Sequence, residues 1–270
     1  MTSGRIIGLD TSAGVAVGLA EAGVVVGRRW LDDSRRHAEA LVPLLAQVVD
    51  EAGWHMTEVT GLAVGMGPGP FTGLRVGIAA AQTLSTAYHL PLRQVCSLDI
   101  VAREVVERLA LGPETSIAAT SERLPTTGPQ VVAPVTGALA QQVVAPVTGA
   151  LDETFPASDD EDTSGQFSVV LDARRREVYW ARYDRWGQRL EGPQVSSPTD
   201  LPAALPVVGP AAGLVGRTLA WPSPERVDAG LLAAQSEFLP EVGSQPLYLR
   251  RPDATVPTGR KSVLVARPTR

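Results

Sequence analysis

The chain of 270 residues contains a single cysteine, Cys96, and only three histidines. One cysteine excludes an intramolecular disulfide and a zinc site built on several thiolates, and its position beside Val95 predicts a core or strand-end thiol. No run approaches the roughly 18 apolar residues of a membrane-spanning helix, and no basic segment followed by an apolar one marks a signal peptide. The sequence therefore predicts a cytoplasmic protein without membrane association.

The composition is that of a globular protein, with 44% hydrophobic and 20% charged residues. Its length suits one large domain or two small ones. The net charge of −5 gives no general attraction for nucleic acid. A local basic face is compatible with this balance, but RNA binding needs evidence beyond the overall charge.

The first 111 residues predict an α/β unit with a mixed sheet, because consecutive strands are followed by alternating strands and helices. Apolar residues spaced by three and four from Ala38 to Ala52 predict an amphipathic helix, which Gly53 ends. The other predicted helices run from Leu74 to about Tyr88, stopped by Pro91, and from a cap at Ser97 or Asp99 to about Leu109. The predicted strands are Arg5–Leu9, Val15–Ala20, Val24–Trp30, Leu62–Val64 and Leu92–Cys96.

Residues 112–166 predict a disordered, low-complexity insertion, in which the ten-residue segment QVVAPVTGAL occurs twice, at 130–139 and 142–151. Docking of its apolar VVAPV pieces is the alternative. Order is predicted to return over 167–250, a smaller second half, and residues 251–270 predict a mobile tail. The elements predicted there are strands Phe167–Leu171, Glu177–Tyr183, Gln188–Ser196 and Pro206–Val208, helices Thr199–Leu205 and Val227–Phe238, and an extended segment Pro246–Leu249.

The stretch Gly61–Gln82, GLAVGMGPGPFTGLRVGIAAAQ, is the most informative in the chain. It reads as a buried strand, a turn of alternating glycine and proline, and a helix. Such a turn places backbone N–H groups and a helix N-terminus at one point. Three alternatives follow: an anion binds at the turn, another protein packs closely against it, or the turn is a tight connection without a ligand.

The two halves begin alike, with a strand that ends at Asp10 or Asp172, a turn and a second strand. This doubled layout resembles the actin-like ATPase superfamily, in which the two turns hold the nucleotide phosphates and their carboxylates hold the metal. The second turn departs from that pattern, because it reads Asp-Ala-Arg-Arg-Arg over 172–176 where small glycines are expected. Pro210 likewise removes a donor from the glycine turn 207–213. The resemblance thus implies an actin-like fold of two related mixed-sheet halves with a degraded ATP site.

A closer resemblance is to the TsaB (YeaZ) family, the small partner in making threonylcarbamoyladenosine on tRNA. It covers residues 5–109 and 167–183, and the final PLYLR followed by Pro252 adds to it. The motifs that carry it are Ile6–Ser12, Arg35–Ala38 with Leu41, Pro43 and Leu44, Gly67–Gly77 (GPGPFTGLRVG), Asp172–Arg174 and Glu177–Tyr179.

The resemblance implies a non-catalytic scaffold that binds the catalytic subunit TsaD and helps to recruit the ATPase TsaE. TsaD transfers threonylcarbamoyl to adenosine 37 of tRNAs that read ANN codons, and this chain would meet tRNA through the complex. TsaD binds its metal with a His-x-x-x-His pair, whereas His37, His55 and His89 are too far apart for that spacing. The chain also lacks the HExxH and GxSxG motifs of peptidases and hydrolases. We therefore expect no catalytic residue, no metal and no cofactor.

The family uses its first two long helices to contact TsaD or a second copy, so either a heterodimer or a homodimer is implied. The alternative is that the apolar residues of these helices only pack on the sheet, and that Arg35 and His37 belong to a solvated polar face. The expected interface residues are Arg35, His37, Leu41, Leu45, Leu74, Ile78 and Ala81.

A remnant of a phosphate loop is the second candidate site. The rival function is an ATP-dependent kinase or carbamoyl-transfer enzyme of the actin-like superfamily that uses Asp10 and the glycine turn. The basic turn Arg174–Arg176 is either a simple exposed hairpin or a contact for tRNA phosphates. The candidate phosphate-loop residues are Asp10, Thr11, Ser12, Gly67, Gly69, Thr72 and Gly73.

Overall fold

A computed structural model of the chain describes residues 4–32, 37–111, 164–203, 205–216 and 223–250, with the side chains of residues 37, 38 and 111 outside that description. The predicted insertion 112–166, apart from its last three residues, and the predicted tail 251–270 therefore lie outside the described residues. Within the described ranges, no helix is both long and apolar enough to cross a bilayer.

The first sheet has five strands in the order β3-β2-β1-β4-β5. β1 pairs antiparallel with β2 and parallel with β4, so the sheet is mixed as predicted. All five predicted strands are present, with ends that differ from the prediction by one residue. The strands are β1 (Arg5–Asp10), β2 (Val15–Glu21), β3 (Val24–Leu31), β4 (Gly61–Gly65) and β5 (Leu92–Val95).

Three helices follow the predicted apolar stripes, but their ends differ from the prediction. α2 begins at Phe71, three residues early, and ends at Tyr88 as predicted. His89, which follows the helix two residues before Pro91, has a left-handed backbone (φ 54°), and its N–H donates to the Ser85 carbonyl. Ser97 and Asp99 lie in the first turn of α3, so neither precedes the helix as a cap. The helices are α1 (His37–Glu51), α2 (Phe71–Tyr88) and α3 (Ser97–Leu111).

The second sheet repeats the plan of the first, with four strands in the order β8-β7-β6-β9. β6 pairs antiparallel with β7 and parallel with β9, as β1 does with β2 and β4. The predicted helix Thr199–Leu205 is wrong: only a 3₁₀ turn, Pro198–Asp200, forms, because Pro202 and Pro206 interrupt the segment. The strands are β6 (Phe167–Asp172), β7 (Val178–Tyr183), β8 (Arg189–Ser196) and β9 (Val207–Val208), and α4 (Ala229–Gln235) is followed by a 3₁₀ turn, Ser236–Phe238.

α4 comes from the second half of the chain but packs on the first sheet, on the face opposite α1 and α2. Two glycines of that sheet allow this close approach, since a Cβ on Gly8 would lie 2.2 Å from the Ala229 carbonyl oxygen and one on Gly18 2.1 Å from the Gly230 nitrogen. α3 joins the two lobes in one buried cluster with Phe167 and Tyr183. Near the start of β7, the Tyr179 hydroxyl donates to the carbonyl of Gly69, in the segment that follows β4, at 3.4 Å.

Candidate functional site

The glycine loop, residues 65–73, connects β4 to α2 at the carboxyl edge of the parallel strands. Its backbone is tied to the neighbouring strand, because the Met66 N–H donates to the Val95 carbonyl at 2.8 Å and the Ser97 N–H donates to the Gly67 carbonyl at 2.8 Å. The loop is buried from Gly65 to Gly69, and exposure begins at Thr72. It is therefore part of the interior over most of its length.

Asp10, the end of β1, lies beneath this loop and is only 1% exposed. Its Oδ1 accepts hydrogen bonds from the backbone N–H and the hydroxyl of Ser12, at 2.8 and 2.6 Å. Its Oδ2 accepts a hydrogen bond from the Ser97 hydroxyl at 2.6 Å. The Ser97 Oγ in turn accepts a hydrogen bond from the Gly67 N–H at 3.2 Å. The carboxylate thus joins β1, the glycine loop and the start of α3.

The glycines of the loop are required by contact with the Asp10 turn. A Cβ on Gly65 would lie 1.8 Å from the Asp10 Oδ2, and one on Gly69 would lie 2.8 Å from the Ser12 carbonyl oxygen. Nearly two turns into α2, a Cβ on Gly77 would lie 2.3 Å from the Thr11 Oγ1. The predicted phosphate-loop residues Asp10, Thr11, Ser12, Gly67 and Gly69 are therefore brought together, but they pack on one another.

The other two predicted phosphate-loop residues belong to α2 and not to the contact between the glycine loop and the Asp10 turn. Thr72 is exposed and Gly73 is buried, both in the first turn of α2. Among the described residues, no three of His, Cys, Asp and Glu come together as a set that could hold a metal ion. The geometry favours the third alternative for this turn, a tight connection filled by the chain itself.

The second turn keeps the local chemistry of the first and loses its burial. The Arg174 N–H donates to the Asp172 Oδ1 at 2.6 Å, the same bond that Ser12 makes to Asp10. The Asp172 side chain is 42% exposed, and the three arginines that follow are exposed with left-handed backbones. In the glycine turn 207–213, the Gly209 N–H donates to the Ser223 hydroxyl at 2.8 Å.

The C-terminal segment runs across the outer side of the glycine loop, a contact that the sequence did not reveal. The Leu247 N–H donates to the Met66 carbonyl at 2.9 Å, and the Tyr248 and Phe71 rings lie 4.7 Å apart. Arg250 pairs with Glu177 at the base of the second turn. The predicted extended segment Pro246–Leu249 therefore bridges the two lobes.

A buried polar cluster lies where α3 meets the second sheet. The Tyr183 hydroxyl donates to the Asp99 Oδ1 at 2.7 Å, and the Arg189 guanidinium lies 3.5 Å from the same oxygen. Burial raises the pKa of Asp99 and, with the nearby Asp99 charge, raises the pKa of the Cys96 thiol to about 12. Cys96 is thus the inert core thiol that its sequence context predicted.

The predicted interface residues lie mostly inside the first lobe. Arg35 falls outside the described residues, as does the side chain of His37, which begins α1. The remaining five are between 0% and 8% exposed and belong to the core between α1, α2 and the first sheet: Leu41, Leu45, Leu74, Ile78 and Ala81.

The middle of the exposed side of α1 and α2, which we call the helix face, consists of other residues: Val42, Pro43, Ala46, Ala79 and Thr83. The exposed charged residues Glu39, Asp50 and Arg75 flank it on the same helices. Val42 is 63% exposed. The Thr83 hydroxyl donates to the Ala79 carbonyl of its own helix at 2.7 Å. The helix face therefore presents small, mostly apolar groups between charged residues. The helical period predicted which residues of α1 and α2 point inward, but a stripe of apolar residues does not say which of them meets a partner.

Comparisons with known proteins agree with the resemblance. A family model described as tRNA N6-adenosine threonylcarbamoyltransferase (TsaD) matches residues 32–119. A TsaB protein of tRNA threonylcarbamoyladenosine biosynthesis from Escherichia coli is 34% identical over 100 residues, which are 37% of this chain and 43% of that protein. The solved structure of YeaZ from Pseudomonas aeruginosa superposes with a TM-score of 0.60 at 22% identity, over 91% of this chain and all of that one. This likeness establishes the fold, so the predicted two-lobed actin-like architecture is confirmed.

Longer matches come from mycobacteria. An uncharacterized protein of Mycobacterium tuberculosis is 32% identical over 86% of this chain and 83% of its own length. A second one, from Mycobacterium leprae, is 35% identical over 82% of this chain, but the chain spans only 46% of that protein. The chain therefore belongs to one family with the Mycobacterium tuberculosis protein, and it is similar to the TsaB (YeaZ) proteins.

Proposed function

We propose that this chain is a non-catalytic scaffold subunit in the formation of threonylcarbamoyladenosine at position 37 of tRNAs that read ANN codons. It binds a TsaD-type transferase and helps to recruit a TsaE-type ATPase. The family membership and the name of the Escherichia coli relative support a role in this biosynthesis. The contacts with the two partners are the part of the proposal that needs experiment.

The helix face is the observation that carries the proposal. Its side chains are small, and the Thr83 hydroxyl already donates to a carbonyl of its own helix. A partner that covers the face would therefore bury few polar groups without a hydrogen bond. Val42, 63% exposed, offers apolar area that a partner would remove from water. Small residues such as Ala46 and Ala79 let a second pair of helices approach closely. A TsaD-type subunit or a second copy of this chain fits such a surface.

The tight packing of the Asp10 turn against the glycine loop supports a role without catalysis. A nucleotide phosphate needs open backbone N–H groups beside the turn, as phosphate loops have. Here the Ser12 N–H donates to Asp10, and Ser12 itself lies against Gly69. The rival function, an ATP-dependent kinase or carbamoyl-transfer enzyme, requires this packing to open.

The test compares the wild-type chain with Val42→Glu and Ala79→Glu, each of which puts a charge on the helix face. The matched control is Leu214→Glu, because Leu214 is also apolar and 54% exposed but lies in the second lobe. The readouts are co-purification with the TsaD-type transferase of the same organism, tRNA modification in the reconstituted system, and thermal unfolding. We expect the two helix-face variants to lose binding and modification at an unchanged melting temperature, while the control retains both.

Two results would contradict the proposal. One is transferase binding that survives both helix-face charges. The other is ATP hydrolysis by the isolated chain that disappears in a folded Asp10→Asn variant, which would favour the enzyme. Light scattering on the same samples distinguishes a homodimer from a heterodimer, since both would use this face.

A further inference from the structure

A second surface of the molecule, on the side of the second turn, differs from the rest in charge. We call it the arginine face, and it consists of Phe71, Arg75, Arg174–Arg176, Tyr248 and Arg250. Its parts adjoin through a series of contacts: the Arg75 guanidinium lies 5.3 Å from the Phe71 ring centre, Phe71 contacts Tyr248, and Arg250 pairs with Glu177 next to Arg176. The face thus joins both lobes and the C-terminal segment.

The local charge is opposite to that of the whole chain. Among the described residues, this face has five arginines and two carboxylates, Asp172 and Glu177, in a chain whose net charge is −5. A polyanion is the ligand that such a local excess of positive charge attracts.

The turn that carries three of these arginines has an unusual backbone. Arg174, Arg175 and Arg176 have φ values of 62°, 53° and 63°, a left-handed conformation that is sterically costly for a residue with a side chain. The Asp172 carboxylate and the Ala173 N–H, which donates to the Glu177 carbonyl at 3.0 Å, fix the turn. Glycine or asparagine would adopt this turn more easily, so the stability of the turn does not account for three arginines. A strained conformation kept at an exposed site points to a function for its side chains.

The aromatic residues of the face select among polyanions. Tyr248 is 36% exposed and is backed by Phe71, which gives a base a ring to stack on. Guanidinium groups are planar forks that match phosphate oxygens. An acidic protein segment would use the arginines but has no need for the exposed ring.

We propose that the arginine face binds the phosphate backbone of a structured RNA directly. That this RNA is a tRNA rests on the proposed function, whereas RNA binding by the face does not. The chain would then contribute its own contacts to the nucleic acid instead of meeting it only through a partner subunit.

The experiment uses the isolated full-length chain and a fluorescently labelled tRNA transcript, with fluorescence anisotropy at several KCl concentrations. The double variant Arg175→Ala, Arg176→Ala removes two charges from the face. The double variant to Lys keeps the charges, and Arg185→Ala is the control at the opposite end of β7, in the turn that leads to β8. We expect the alanine variant to weaken binding about tenfold at low salt and to reduce the slope of log K against log salt by about two. The lysine and Arg185 variants should keep the wild-type slope.

Three outcomes would overturn the inference. The first is a wild-type chain that does not bind the transcript, and the second is an alanine variant that binds with the wild-type slope. The third is polyglutamate that competes as well as RNA of equal charge, which would identify an acidic protein partner. The helix-face variant Val42→Glu separates this inference from the proposed function. If Val42→Glu loses the transferase but keeps RNA binding, both stand; if the wild-type chain binds RNA and no transferase, the scaffold function alone fails.

Discussion

The two hairpin turns that open the two sheets share a local structure and differ in their surroundings. In each, an aspartate at the end of a strand accepts the N–H of the residue two positions later, at 2.8 Å for Asp10 and 2.6 Å for Asp172. Asp10 is buried under the glycine loop, while Asp172 is exposed and followed by arginines. The short-range turn chemistry is thus common to both lobes, and the tertiary contacts decide what each turn does. The first holds the interior together, and the second faces a ligand or solvent.

The largest effect should come from Gly65→Ala, which fills the space between the glycine loop and the first turn. The new Cβ would lie 1.8 Å from the Asp10 Oδ2 and 2.7 Å from the Ser97 Oγ, so the carboxylate and its hydrogen bond must move. We expect the free energy of unfolding to fall by about 4 kcal/mol, from overpacking together with the lost hydrogen bond. Urea unfolding followed by circular dichroism measures this.

Gly213→Ala is the matched control for this prediction. A Cβ at Gly213 meets nothing within 4 Å, so its free energy of unfolding should change by no more than about 0.5 kcal/mol. Equal effects of the two substitutions would mean that the glycine loop does not pack on Asp10.

Removing each aspartate in turn tests the comparison directly. Asp10→Ala leaves the Ser97 hydroxyl and the Ser12 N–H and hydroxyl buried without their acceptor, which should cost about 3 kcal/mol of unfolding free energy. Asp172→Ala leaves its donors in water and should cost less than about 1 kcal/mol. The ratio of the two values from chemical denaturation is the measurement, and comparable costs would show that burial is not the difference between the turns.

The sequence predicted the architecture well because local signals determined it. Alternating and periodic apolar residues located the strands of both sheets, and the two strand–Asp–turn–strand units predicted their common plan. The site was predicted less well, because Gly69 and Gly77 carry no mark of what they contact: a glycine that admits a phosphate and one that admits Ser12 or Thr11 look alike. The reach of Leu247 to Met66 depends on residues 181 positions apart in the chain, which no local pattern encodes.

A third carboxylate, Glu104, can be compared with Asp10. Both have buried carboxylate oxygens, but Asp10 accepts several hydrogen bonds, whereas one oxygen of Glu104 accepts none from any described residue. Glu104 in α3 is bonded to Arg108, but its Oε2 has no hydrogen-bond partner among the described residues. Burial, and then the charge of Asp228, raises the pKa of Glu104 from its ordinary value of 4.5 to about 7. The folded chain therefore binds this proton more tightly than the unfolded chain does, so the Glu104 contribution to stability is lost as pH rises from about 4.5 to about 7.

Glu104→Gln removes the loss of stability at high pH, because the glutamine side chain stays neutral. We expect the variant to be about 2 kcal/mol more stable than wild type at pH 8, a gain that falls toward zero at pH 5. Unfolding free energies measured at both pH values test this, and Glu225→Gln, whose parent side chain is 85% exposed, serves as the control without a pH-dependent difference. A gain that is the same at both pH values would contradict the raised pKa.

The smallest effect concerns the backbone of the second turn. Arg175→Gly removes the steric cost of a side chain at φ 53°, which is about 1–2 kcal/mol, and adds the conformational entropy of glycine in the unfolded chain, about 0.5–1 kcal/mol. The net result should be a gain of about 0.5 kcal/mol in unfolding free energy. Arg175→Ala loses the same charge but keeps its Cβ in the left-handed region, so it should show no gain. If alanine stabilises as much as glycine does, repulsion among the three arginines, and not the backbone, is the source of strain in the turn.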